Sequence, residues 1–175
     1  MLVLRVSGAL ALAWAMLWPA ISHAQQATVQ APQSMTATYQ DWVMRCEIQH
    51  GGEKLCEIAQ GIQAQGQQGL IAQIVVGKPA STAPFRLIVQ LPAGVWLPGG
   101  VNLQLGGNAP PLALTYTRCQ NACFADLELK PAQIEQLKAR TAAGLLEFQD
   151  GARKTIQLPV SFRGFSAALE ASQKG

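Results

Sequence analysis

The sequence predicts an all-β fold, namely a single antiparallel domain of the β-sandwich or jelly-roll type with one or two short helices. Apolar and polar residues alternate with a period of two over much of the chain, which is the pattern of strands with one buried face. Turns that contain glycine and proline separate these runs, and only two short stretches have helical spacing. Many short strands joined by such turns are typical of sandwiches and jelly rolls.

The strand predictions rest on five segments. Four alternate between apolar and polar residues: "DWVMRCEI" (41–48), "FRLIVQL" (85–91), "VNLQL" (101–105) and "KTIQLPV" (154–160). The fifth, "GLIAQIVVG" (69–77), is almost continuously apolar, so we expect it to be a central strand. Trp42 falls in the apolar phase of the first segment, which favours a place in the core.

Two segments predict helices. "KPAQIEQLKAR" (130–140) has Pro131 at a first helical position, apolar Ile134 and Leu137 at helical spacing, and Gly144 where we expect a stop. "FSAALEAS" (165–172) predicts a second short helix near the end of the chain. Neither helix is long enough to organise the domain.

The first 24 residues predict a secretory signal peptide. Arg5 precedes an apolar run at residues 6–20, and the small residues Ser22 and Ala24 supply a cleavage site. The alternative is a membrane anchor, but the run is shorter than the ~20 residues of a membrane span. We therefore expect a signal peptide at 1–24, a flexible mature N-terminus at 25–38 and a β-sandwich domain at 39–172, with no membrane span after cleavage and a periplasmic location.

The composition favours no charged partner. Charged residues make up 13% of the chain, against ~25% in an average protein. Removal of Arg5 with the signal peptide leaves 12 basic (13 minus 1) and 10 acidic residues, a net charge near +2. Because there is no basic stripe, we expect no nucleic-acid partner.

Four cysteines in an exported chain predict two disulfides, for which three pairings exist. Cys46 and Cys56 are equidistant from Gly51, and Cys119 and Cys123 flank a turn at 120–122. Local pairing is therefore favoured, because a hairpin brings such residues opposite each other. Cys119 is out of phase with the apolar residues before it, and a bulge near residue 118 would correct this. The alternative, a metal or redox site, fits the spacing poorly, so we expect no metal and no cofactor.

Catalytic motifs are lacking. His50 is the one histidine of the mature chain, no serine lies in a GxSxG elbow, and Glu47, Glu53 and Glu57 have the phase of surface residues. Phosphate-binding and dinucleotide-binding motifs do not occur. We therefore expect no catalytic residues and a protein that is not an enzyme.

Four segments together resemble the invasion-associated locus B family. They are "DWVMRC", "LPAGVWLPGGVNLQL" (91–105), "YTRCQNACFADLEL" (116–129) and "LPVSFRGFSAALEA" (158–171), in this order, and the resemblance spans residues 39–171. Ala122 departs from the pattern, since the family commonly has glycine there. The resemblance implies a periplasmic or envelope-associated β-sandwich protein of Gram-negative bacteria, in a family some of whose members are linked to entry into host cells. It carries over no catalytic residue.

Three functions remain open. The first is a non-enzymatic interaction module that binds an envelope or host-surface protein. The second is a sandwich that binds a small ligand or a glycan, and the third is a hydrolase with an unrecognised site. For the first, we expect Trp96 and Leu97 to contribute a binding surface, because they lie between two glycine- and proline-containing turns in a segment without charges. The alternative is that Trp96 closes one end of the sandwich.

Overall fold

The structure, a computed structural model, describes residues 34–49, 51–63 and 69–174. These residues form ten strands, two α-helices and one 3-10 turn at Leu97–Gly99. The strands are β1 (Ser34–Tyr39), β2 (Trp42–Ile48), β3 (Lys54–Gln63), β4 (Leu70–Gly77), β5 (Arg86–Pro92), β6 (Val101–Gln104), β7 (Leu112–Cys119), β8 (Ala122–Glu128), β9 (Gly144–Gln149) and β10 (Thr155–Val160). The helices are α1 (Pro131–Lys138) and α2 (Phe165–Lys174).

All ten strands belong to one antiparallel sheet, in the order β1-β2-β3-β4-β5-β8-β7-β6-β9-β10. The sheet curls, so that its inward-facing side chains pack against one another in a single core. The predicted fold class, all-β and antiparallel with two short helices, is confirmed.

Alternation along each strand decides which residues enter the core. In β2 the side chains of Trp42, Met44 and Cys46 are buried, whereas Arg45 is exposed. The segment predicted to be a central strand is β4, which pairs with β3 on one side and with β5 on the other. Burial of the inward faces of β2 to β10 is the main stabilising contribution, because it removes apolar surface from water.

A hydrogen-bonded seam joins β3 to the end of β10, far apart in the order of strands. Gln60 of β3 is only 5% exposed. Its side-chain amide donates to the carbonyl of Ser161 at 3.0 Å and accepts from the backbone N–H of Ser161 at 3.0 Å. The indole N–H of Trp42 donates to the same carbonyl at 2.9 Å. The side chains thus provide the pairing that two backbone strands would otherwise make.

Helix α2 packs against β1, β2 and β3. Phe165, its first residue, packs edge-to-face on Trp42 with 5.0 Å between the ring centroids, and Ala168 and Leu169 are buried with it. Helix α1 begins at Pro131, as predicted, and the side chain of Gln133 accepts from the backbone N–H of Lys130 at 2.8 Å. Leu137 buries the apolar side of α1.

Two predictions made from the sequence, one for residues 34–38 and one for Gly144, were wrong in detail. Residues 34–38, expected in a flexible N-terminus, are part of β1, and Ala37 and Tyr39 pack against the core. Gly144 does not stop a helix but starts β9, where a Cβ atom would lie 2.6 Å from the carbonyl oxygen of Gln104. The predicted signal peptide, residues 25–33 and His50 lie outside the described residues.

Candidate functional site

The segment that joins β5 to β6 carries both residues predicted to form a binding surface. Residues 93–100 pack against the turn between β9 and β10: Val95 forms a bridge with Asp150, and the backbone N–H of Trp96 donates to the carbonyl of Gln149 at 2.9 Å. This loop is therefore held in place by the neighbouring hairpin.

Asp150 organises that hairpin turn. Its carboxylate oxygen accepts from the backbone N–H groups of Ala152 and Lys154, both at 2.9 Å. Gly151 lies so close to the loop that a Cβ atom would be 2.9 Å from the carbonyl oxygen of Gly94. An aspartate that caps its own turn is a common local structure, and it presents the next side chains in a fixed direction.

Arg153 lies in this turn with a positive φ of 65°, and its side chain covers the ring of Trp96. Its guanidinium carbon is 4.1 Å from the ring centroid, which is the geometry of a cation–π contact. Trp96 is half-buried, whereas Leu97 is 48% exposed. We call Trp96, Leu97 and Arg153 the Trp96 surface.

The Trp96 surface combines an aromatic ring, an exposed aliphatic side chain and a positive charge. Val95, the residue before Trp96, packs against the core, whereas Trp96 itself stacks on Arg153. Sequence reasoning found Trp96 and Leu97 but missed Arg153. It lies 57 positions after Trp96, and no pattern in the sequence connects the two.

Each of the two cysteine pairs predicted from the turns is joined by a disulfide. The sulfur atoms of Cys46 and Cys56 are 2.10 Å apart, and these residues are directly opposite in the β2–β3 ladder. Those of Cys119 and Cys123 are 2.12 Å apart. A shift of register between Tyr116 and Arg118 supplies the bulge expected before the second pair.

A groove of about 390 Å³ lies beside the first disulfide. Cys56, Leu55 and Phe85 contribute apolar surface, and Lys54 and Lys78 line it with positive charge. The ammonium group of Lys78 is 5.0 Å from the centroid of Phe85. Ser81 also lines the groove, and its backbone N–H donates to the Glu53 carboxylate at 2.8 Å. Hydrogen bonds from Ser81 lower the pKa of Glu53.

One carboxyl group of β3, that of Glu57, has a raised pKa. Burial is the largest cause of the raised pKa. The charge of Arg45 opposes it, and the negative charge of Glu47 adds to it. Glu57 lies directly opposite Arg45 in the ladder. Within the described ranges, no three acidic, histidine or cysteine residues gather in the way that a metal ion requires. Neither helix there has the length and apolar character of a membrane span.

A family model described as "Invasion associated locus B (IalB) protein" matches residues 42–173. The chain belongs to the invasion-associated locus B family. This chain is also similar to two Invasion protein B homologs of Brucella abortus, from strain 2308 and from biovar 1 strain 9-941. Each is 25% identical over 142 residues, which are 80% of this chain and 80% of the relative.

The same fold occurs in the crystal structure of invasion associated protein b from Bartonella henselae. The TM-score is 0.68 at 20% sequence identity, and the match covers 79% of this chain and 94% of that chain. Membership of the invasion-associated locus B family confirms the resemblance found in the sequence. It assigns no function to the Trp96 surface or to the groove.

Proposed function

We propose that this chain is an exported protein of the Gram-negative envelope that binds another protein through the Trp96 surface and catalyses no reaction. The observation that carries the proposal is the stack of Arg153 on Trp96 beside exposed Leu97. Tryptophan and arginine are the residue types most enriched in binding hot spots, and a fixed stack loses little conformational entropy on binding.

Export is supported by two independent features. The first 24 residues have the three parts of a secretory signal, and the four cysteines form two disulfides, which persist in oxidising compartments such as the periplasm. We expect protein from the periplasmic fraction to begin at residue 25, as measured by intact mass. A mass that includes residues 1–24 would contradict this part of the proposal.

The relatives suggest the kind of partner. Two of them carry the name Invasion protein B homolog, so we propose that the partner is an envelope or host-surface protein and that binding contributes to host-cell association. The pairing of an apolar anchor with a cation favours a partner that offers an apolar pocket near a carboxylate.

Site-specific cross-linking tests the proposal. The full-length precursor is produced in its own bacterium with a photoreactive amino acid in place of Leu97, or in place of Leu145 as a matched control, since Leu145 is 39% exposed. We expect a defined protein adduct from position 97 alone, and Trp96→Ala should abolish it. Equal adducts from both positions would refute a specific surface.

The same variant separates an anchor from a structural plug. Because Trp96 stacks on Arg153, we expect Trp96→Ala to cost about 1 kcal/mol of stability, against ~3–5 kcal/mol for a tryptophan in a core. A loss in the higher range, with the adduct retained, would make Trp96 structural.

The groove beside Cys56 supports a second function, the binding of a small ligand or glycan. Its volume of about 390 Å³ is within the range of ligand sites. Two lysines on its lining favour an anionic ligand. Titration of the mature protein with sulfated and neutral oligosaccharides, followed by amide chemical shifts, tests this. We expect shifts at Lys54 and Lys78 with the sulfated series, and Lys78→Gln should remove them.

A further inference from the structure

The outer face of the sheet carries a row of alternating charges across five neighbouring strands. The residues of this charged row lie directly opposite one another in the ladders, in the order Arg45, Glu57, Gly77, Arg86 and Glu128, on β2, β3, β4, β5 and β8. The row is centred on Gly77, which has no side chain. Positions at equal distances from this centre carry opposite charges.

An apolar row runs beside the charged row on the same face. It consists of Val43, Ala59, Val75 and Ile88, directly opposite one another on β2 to β5, and Asp126 of β8 ends it. Ala59 is only 2% exposed, whereas the other three apolar residues are partly exposed. The side chains that alternate with them, such as Ile58 and Val76, fill the core. The apolar row therefore lies on the side of the sheet away from the core.

We propose that this face binds a second copy of this chain around a two-fold axis parallel to β4. Such an axis places β2 of one copy over β8 of the other, and β3 over β5. Arg45 then faces Glu128 and Glu57 faces Arg86, each twice because of the symmetry. Val75 faces its own counterpart and Ala59 faces Ile88, so the centres of the apolar rows meet beside the charges, while Val43 faces Asp126.

The dimensions of the face set the expected strength. A third row, Gly61, Gln73, Gln90 and Phe124, follows the apolar row on the same face. Five strands about 4.8 Å apart and three rows about 7 Å apart give roughly 500 Å² on each copy. The total of roughly 1,000 Å² reaches the lower limit for a biological interface. We therefore expect a weak dimer that high salt dissociates, because charge pairs at the rim are screened.

The experiment must separate charge pairing between copies from charge pairing within one sheet. Within the chain, Arg86 already bonds to Asp126 at 3.0 Å, and opposite charges on neighbouring strands stabilise a sheet by themselves. The variants Arg45→Glu and Glu128→Arg differ in this respect. Each one alone brings like charges together between identical copies, whereas a mixture of the two restores both pairs between unlike copies.

Sedimentation of the mature protein at low salt, up to roughly 100 µM chain, measures the outcome. We expect the wild type to dimerise, each single variant to dimerise at least about tenfold more weakly, and their mixture to form a heterodimer with the affinity of the wild type. The double variant should also dimerise, although it loses the alternation within the sheet. Val75→Lys, which puts two lysines together on the axis, should be monomeric.

A monomeric wild type would overturn the proposal, even if the face were protected from surface labelling, since another occupant would then cover it. Single variants that dimerise like the wild type, or a mixture that does not recover, would do the same. Thermal unfolding of each variant checks that it is folded. If a charge variant is not, the comparison between Val75→Lys and the wild type decides.

Discussion

Removal of the Gln60 side chain should open the seam that closes the curled sheet. Its amide nitrogen donates to the carbonyls of Ser161 and Asp41, at 3.0 and 3.3 Å, and its oxygen accepts from the N–H of Ser161 at 3.0 Å. Gln60→Ala deletes all three hydrogen bonds at a site that is 5% exposed. The seam then retains the bond from the indole of Trp42.

The expected loss follows from the groups left without a partner. The N–H of Ser161 and the carbonyl of Asp41 lose the bonds that Gln60 made, whereas the carbonyl of Ser161 keeps the indole donor. An unsatisfied buried polar group costs about 1–3 kcal/mol, so we expect Gln60→Ala to lower the free energy of unfolding by about 3 kcal/mol. Water that enters the seam would reduce this figure.

Denaturant unfolding of the mature protein measures the loss, with Gln157→Ala as the matched control. Gln157 is an exposed glutamine of β10 whose side-chain amide donates to the Glu147 carboxylate at 2.8 Å, so its removal should change stability by less than about 0.5 kcal/mol. Hydrogen exchange should show faster exchange of the Ser161 amide in Gln60→Ala. If both variants unfold at the same denaturant concentration, the side chain does not close the sheet and the reasoning is refuted.

Three further changes test other parts of the fold. Burial raises the pKa of Tyr116 from 10.0 to about 12, so stability should hold below pH 10 and fall as the pH rises towards 12; Tyr116→Phe should weaken this fall in pH-dependent denaturation. Replacement of Cys46 and Cys56 by alanine should lower the free energy of unfolding by about 2–3 kcal/mol, measured by calorimetry; no change would contradict the bond. Gly144→Ala should cost about 1–3 kcal/mol, because its Cβ would meet the Gln104 carbonyl; a neutral result would place β9 differently.

The parts of the fold that were predicted are those set by nearby residues. The symmetric placement of Cys46 and Cys56 about a glycine turn fixes one register, and the register fixes the pair. Strand β1 was missed because none of its inward side chains is fully buried: Ala37 and Tyr39 are partly buried, and Met35 is 42% exposed. Its stability comes from pairing with β2, which its own sequence does not reveal.

The alternation of apolar and polar residues did not predict which distant segments contact each other. Strand β5 pairs with β8 and β6 with β9, and nothing in the alternation of either strand specifies its neighbour. The stack of Arg153 on Trp96 depends on the second of these pairings, because it brings the β9–β10 turn to the β5–β6 loop. The sequence therefore predicted Trp96 and Leu97 as site residues but not their neighbour Arg153.

The proposed dimer and the Trp96 surface have a joint consequence. An axis parallel to β4 preserves height along the strands, and the loop with Trp96 follows Pro92 at the end of β5 opposite to Arg86. Both Trp96 surfaces therefore lie at the same end of the dimer, and two partner molecules in one membrane can be bound together. Bivalent binding can exceed single-site affinity by ~10²–10⁴.

The cross-linked partner, once isolated and immobilised, allows a measurement of this gain. We expect wild type to bind a dense surface at least about tenfold more tightly than a sparse one. Arg45→Glu should bind both surfaces with the sparse-surface affinity, because it keeps the Trp96 surface and loses the dimer. Trp96→Ala should bind neither. If Arg45→Glu retains the dependence on density, the two surfaces do not act together.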